Sequence, residues 1–148
     1  MGIFDFLKKK TTSEEIKDQS KPTLAHDIPV SAEWAMNNLN KTGYTVDYNL
    51  ERMKEIDRFF DEQSREGGVL TGKCGNILFS LASLVGETII KMYGGKWITN
   101  DEDPAGEVNI AVELPDGRML WPAQRCIKRL KNGPEDSIHD YVWVLSQK

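Results

Sequence analysis

Hydrophobic residues along this chain recur three and four apart for most of its length and two apart in one short stretch. That mixture predicts helices with a small sheet. In DYNLERMKEIDRFFDEQSREGG, residues 47–68, Leu50, Met53, Ile56, Phe59 and Phe60 fall on one helical face behind an acidic first turn, and Gly67 and Gly68 end the segment. Residues 74–93 are apolar on most of their circumference, with Asn76, Ser80, Ser83, Glu87 and Lys91 forming a single polar strip. A helix of that kind belongs at the centre of a small domain. Because the strip interrupts it, the segment is expected to fall short of the roughly 20 apolar residues that span a membrane. Upstream, Ser31 is expected to cap a short helix with Trp34 and Leu39 pointing inward and Gly43 closing it.

The period changes after Gly95. Val108, Ile110, Val112 and Leu114 alternate with Glu107, Asn109, Ala111 and Glu113, the pattern of a strand with one buried face. The turn residues Pro115, Asp116 and Gly117 fold the chain back, so residues 118–121 pair with it and residues 96–99 supply a third strand. Pro122 suits the first turn of a helix that Asn132 and Gly133 stop. The last apolar stretch, 138–146, fits a helical stripe better than a strand, although YVWVL has strand propensity as well. The expected fold class is therefore α+β, with two long helices (47–66 and 74–93) packed on a small three-stranded antiparallel sheet, and short helices at the N- and C-terminal ends.

The N-terminus reads differently. MGIFDFLKKK places Ile3, Phe4 and Leu7 at helical spacing, with Phe6 beside them and three lysines following. That is how a short interfacial helix reads, while Phe6 occupies the place where a myristoylation signal wants Ser or Thr. Residues 11–29 are polar, with two prolines. Residues 1–30 are accordingly assigned to an arm, and residues 31–148 to one α+β domain.

Composition adds limits. With 148 residues, 39% hydrophobic and 28% charged, the chain is long enough to bury a core without metal or disulfide support. A net charge of -4 argues against a nucleic-acid partner. The two cysteines, Cys74 and Cys126, read as small core residues in a reducing, cytoplasmic setting, since no secretory signal opens the chain.

Candidate chemistry mostly lacks a required part. Gly67, Gly72 and Lys73 match the spacing of a phosphate-cradling loop, but Cys74 stands where a magnesium-binding hydroxyl belongs and a helix precedes the glycines, so no nucleotide is expected. His26 and His139 are the only histidines and lie far apart in sequence, and the acidic loop NDEDPAG departs from the calcium-loop pattern, so neither metal nor cofactor is expected. Cys74 beside Lys73 at a helix start could be activated as a thiolate, but no base accompanies it. Glu87 is ambiguous: either it pairs with Lys91 in water, or it is desolvated and needs Arg125 or Arg129. Arg125, Lys128, Arg129 and Lys131 make residues 122–133 basic, facing six acids in residues 99–116, and an intramolecular match between the two is the simplest use of both. Trp97 and Trp121 either line a cleft or pack on the central helix.

The order and spacing of DYNLERMKEIDRFFDE, LVGETIIKMYGGKW, LPDG, WP and KRLKNGPEDSIHDY resemble a family of small bacterial domains of unknown function, over about residues 45–142. The resemblance rests on Gly86, Glu87, Gly94, Gly95 and Trp97, and it implies a bacterial origin and an α+β fold while carrying over no catalytic residue. By elimination the expected function is a non-catalytic, cytoplasmic protein-interaction module of immunity or regulatory type, with Glu87, Trp97, Trp121, Arg125 and Arg129 marking its ligand or partner surface. One alternative is a small-molecule-binding or hydrolytic domain using Glu87 with Arg125 or Arg129. Another is recruitment to a membrane surface through Ile3, Phe4, Phe6 and Leu7.

Overall fold

The computed structural model describes residues 22–147, so the expected amphipathic segment 1–10 lies outside the described residues. The chain begins with α1 (Leu24–Lys41), which is capped by Thr23: its Oγ1 accepts the N–H of His26 at 3.1 Å. This corrects the short helix expected after Ser31, and the arm boundary drawn at residue 30 falls inside α1. Pro29 is why the sequence suggested a later start, since a proline inside a helix costs about 3 kcal/mol. Burial outweighs it. Ile28, Ala32, Ala35 and Leu39 form a stripe spaced four, three and four, and each is at most 4% exposed. Trp34 lies a residue off that stripe, about 100° around the helix. It points outward, 52% exposed, contrary to expectation.

The acidic helix is shorter than its pattern suggested, α2 running only from Met53 to Gln63. Residues before it turn instead, because Asn49 Oδ1 accepts the N–H of Arg52 and Asp47 Oδ1 that of Tyr48, local bonds that compete with the helix. The second long helix of the fold is thus α1 and not this one. The apolar face of α2 does behave as its spacing predicts: Met53, Ile56, Phe59 and Phe60 are buried.

Helix α3 (Gly75–Tyr93) occupies the centre, packed against α1 and against elements that follow it. Leu84, Val85, Thr88 and Ile89 are completely buried. Its 19 residues do meet the length and mean hydropathy of a membrane span, contrary to the reading from the polar strip, but half of that window is buried inside the protein. The strip itself divides: Asn76 and Lys91 are exposed, whereas Ser80 and Ser83 are buried and the Ser83 hydroxyl donates to Phe79 O.

Strands β1 (Lys96–Ile98), β2 (Ala111–Glu113) and β3 (Met119–Leu120) form one antiparallel sheet in that order. Trp97 faces Val112 and Val112 faces Leu120 in register. The middle strand is shorter than its alternation predicted. Asp103 accepts from Ala105 N and Asn109 Nδ2, holding residues 104–109 in turns and leaving Val108 40% exposed. Ile110, Val112 and Leu114 keep their buried positions, and Ala111 is buried too. Helices α4 (Pro122–Asn132) and α5 (Ile138–Trp143) complete the α+β fold, with 3-10 turns at Gly133–Asp136 and Val144–Ser146, so the terminal stretch is helical.

Candidate functional site: an apolar groove between three helices

An apolar recess lies where the C-terminal half of α1, the end of α2 and the first turns of α3 meet. It has a volume of about 280 Å³, and its walls include Leu39, Tyr44, Phe59, Ile77 and Leu81. Tyr44 and Phe59 meet edge to face, their ring centroids 5.3 Å apart. Two large apolar side chains stand exposed on its rim, Trp34 at 52% and Val69 at 50%.

Apart from the Ser80 hydroxyl, the polar side chains around this recess are already engaged. The Tyr44 hydroxyl donates to Glu62 at 2.7 Å and receives a bond from Gln63 Nε2; Gln63 Oε1 in turn accepts from Val69 N. Asn38 Nδ2 donates to Trp34 O, and the Thr42 hydroxyl donates to Asn38 O. Small-molecule sites orient their ligands with convergent free polar groups in volumes of about 300–1,000 Å³. A smaller recess whose polar groups are mostly committed suits two or three apolar side chains of a polypeptide.

Of the residues singled out from sequence, Trp121 and Arg125 line one recess of about 160 Å³ and Glu87 meets Trp97, but the five do not share one site. Glu87 pairs with neither Lys91 nor an arginine: Trp97 Nε1 donates to its Oε2 at 2.8 Å, and the Lys91 ammonium sits 4.8 Å from the centre of the Tyr48 ring. The Trp97 ring lies directly on Gly86, where any Cβ would collide with it. Gly95, at φ +116°, brings its Cα so close to β2 that a Cβ would come within 2.6 Å of Glu113 O. The resemblance-bearing residues Gly86, Glu87, Gly95 and Trp97 therefore form one packing unit joining α3 to the sheet.

Arg129 is 3% exposed and serves another junction. Its Nε donates to Asp57 Oδ1 at 2.8 Å and its Nη2 to Asp61 Oδ1 at 2.7 Å. Burial alone would lower its pKa, but these two carboxylates outweigh that and raise it. Asp57 also accepts the backbone N–H of Ile138 and His139 and the hydroxyl of Ser137, which caps the start of α5 from across the fold. Arg125 pairs with Asp136 at 2.8 Å and lies 4.6 Å from the centre of the Tyr141 ring. Both arginines thus find acids on α2 and after α4, and not in the 99–116 loop as expected. Trp121, expected in a strand, precedes α4 and is 42% exposed.

The glycine-rich stretch joins α2 to α3, so a helix stands where a phosphate loop needs a strand. Among the described residues no group of three or more His, Cys, Asp or Glu side chains is placed to hold a metal ion. The acidic loop is tied to α1 through Asp101 Oδ1, which accepts Leu24 N at 2.7 Å. Cys74 and Cys126 are free and buried. Burial pushes the Cys74 thiol up, the opposite of activation, and pushes Cys126 up to about 12. Native protein at pH 8 is therefore expected to resist an aromatic disulfide reagent at both thiols, with two equivalents released in denaturant. Fast release from the folded chain would contradict this burial. The unfolded thiol loses its proton near 9.0 while folded Cys126 keeps it, so stability is expected to decline as pH rises from about 9 toward 12.

Sequence reasoning missed Asp57 and the groove. Asp57 did leave a signal, since a carboxylate between Ile56 and Phe60 and four residues after Met53 sits on the apolar stripe of α2 and needs a partner. The groove left none, because its walls come from three separate elements. Comparison of the chain with family models, with curated proteins and with solved structures finds no match.

Proposed function

We propose that this chain is a non-catalytic protein-interaction module whose contact face is the groove between α1, α2 and α3. Its partner is a polypeptide segment offering two or three apolar side chains at helical spacing, which is how helix-in-groove recognition works. The carrying observation is the pair Trp34 and Val69, exposed at the rim of an apolar recess whose polar groups are mostly bonded within the fold. An exposed tryptophan that becomes buried at the centre of a contact supplies much of an interface's energy. Glu87, Arg125 and Arg129 are satisfied within the fold, which takes support from a hydrolytic or small-molecule reading. A regulatory or immunity role in a bacterial cytoplasm, in a family of the kind the sequence resembles, is the physiological form of the same proposal.

Val69→Asp tests it, because a charge at the rim opposes apolar docking while leaving the backbone bond to Gln63 in place. In capture from a bacterial lysate, a protein retained by the wild type and by Lys128→Glu is expected to fall about ten-fold with Val69→Asp, the effect of losing roughly 1.4 kcal/mol. Folding stability is expected to change by under about 0.5 kcal/mol, as at other exposed positions. Equal retention by all three proteins would refute the groove as the contact face.

A further inference from the structure

We propose that the groove is occupied in cis by the first ten residues of this same chain, with Ile3, Phe4 and Leu7 as the inserted side chains. This rests on the groove being the binding face, and it makes the N-terminus a built-in competitor for any external partner. Four observations converge on it.

The first is chemistry. MGIFDFLKKK carries apolar residues at positions 3, 4 and 7. A recess of about 280 Å³ with a mostly apolar lining matches two or three such side chains. The second is reach. The described chain begins at Pro22, beside the start of α1, and the groove lies along the other half of that helix. Leu24 to Met36 spans about 18 Å at 1.5 Å per residue. Fourteen residues, 8–21, can reach at most about 46 Å, more than twice that distance. A short linker that can span its sites gives a local concentration of millimolar order.

The third observation is the path. Val30, 55% exposed, precedes Trp34 by one helical turn, so two apolar side chains extend from the rim one turn back toward the start of α1. The fourth is charge. At the end of α2 Asp61 is paired with Arg129 and Glu62 with Arg58, which leaves Glu66, three residues before Val69, as the acid that Lys8, Lys9 or Lys10 would meet. If the segment alone binds with a dissociation constant of about 0.1 mM, a millimolar local concentration keeps the groove about 90% filled, and an external segment then binds about ten-fold more weakly.

A nitroxide attached at Gly2→Cys in the full chain tests this, since Cys74 and Cys126 are buried and remain unlabelled. Paramagnetic broadening is expected at the Trp34 indole and the Val69, Ile77 and Leu81 methyl groups, and is expected to vanish in the same chain carrying Phe4→Asp and Leu7→Asp. A fluorescent synthetic peptide, MGIFDFLKKK, is expected to bind that double variant about ten-fold more tightly than wild type, and to lose binding when Val69→Asp is added. Broadening spread evenly, or confined to the acidic loop at 101–107, overturns the proposal. So does flotation of the wild-type chain with phosphatidylserine vesicles without any change at the groove signals on the Phe4→Asp, Leu7→Asp substitution, which would assign the segment to a membrane surface. Peptide binding equal in wild type and double variant, yet still lost with Val69→Asp, overturns docking in cis alone and leaves the groove as the contact face. Absence of peptide binding together with undiminished lysate capture by Val69→Asp overturns both.

Discussion

Replacing Asp57 by alanine is expected to destabilise the protein by about 4 kcal/mol, the range for removing one partner of a buried ion pair. The carboxylate holds four donors at once: the Arg129 guanidinium, the Ser137 hydroxyl and the backbone N–H groups of Ile138 and His139. Its loss leaves Arg129, 3% exposed, with only the half-exposed Asp61 to balance its charge, and uncaps α5. Asp61→Ala is expected to cost no more than about 1 kcal/mol, because an exposed partner is screened by water. Urea unfolding of the two single variants and of Asp57→Ala with Arg129→Met separates the causes. If the buried charge is what hurts, the double variant recovers much of the loss, as replacement of buried ion pairs by apolar residues does elsewhere. A cost under about 1 kcal/mol for Asp57→Ala would mean that water reaches the junction between α2, α4 and α5 freely.

Gly86→Ala gives the second large effect, and here two forces oppose. In an open helix the change stabilises by about 1 kcal/mol, because glycine loses more backbone freedom on folding. At this position the added Cβ would stand inside the Trp97 ring, so the ring must leave, and overpacking of that kind costs about 1–3 kcal/mol. Displacing the ring also separates the indole N–H from Glu87, removing a charge-assisted hydrogen bond worth about 1.5–3 kcal/mol. The clash wins. A net loss of about 2 kcal/mol is expected, read as a lower thermal midpoint with altered tryptophan fluorescence. Trp97→Leu placed on top of Gly86→Ala is expected to restore part of it, since the smaller side chain vacates the space. Stabilisation by Gly86→Ala would show that Trp97 does not rest on α3.

These two sites show how far the sequence could be read. The apolar spacing of residues 53–60 and 75–93 located two helices and their buried faces correctly, because a helix face is a local property that neighbours along the chain define. The residues around Gly86 and Trp97 were recognisable as a pattern, yet their role was not. A glycine next to a glutamate reads the same whether it admits a substrate or a tryptophan ring, and eleven positions separate Gly86 from Trp97. Glu87 was left between two electrostatic partners because both choices, Lys91 and an arginine, follow from charge alone. Its actual partner is a neutral donor delivered by β1. Pro29 misled for a related reason: its local cost is real, but the burial of Ile28 and Ala32 against α3 exceeds it.

By itself the sequence determined the α+β class, the central place of the helix at 75–93, the hairpin at 115–117 and the burial of both cysteines. Each of these depends on periodicity, turn chemistry or composition over a few residues. The tertiary structure alone decided which acid Arg129 meets, that Trp34 faces outward, and that Leu39, Phe59 and Leu81 wall a common groove. Those facts join residues tens of positions apart, and only the packing of whole elements fixes such distances.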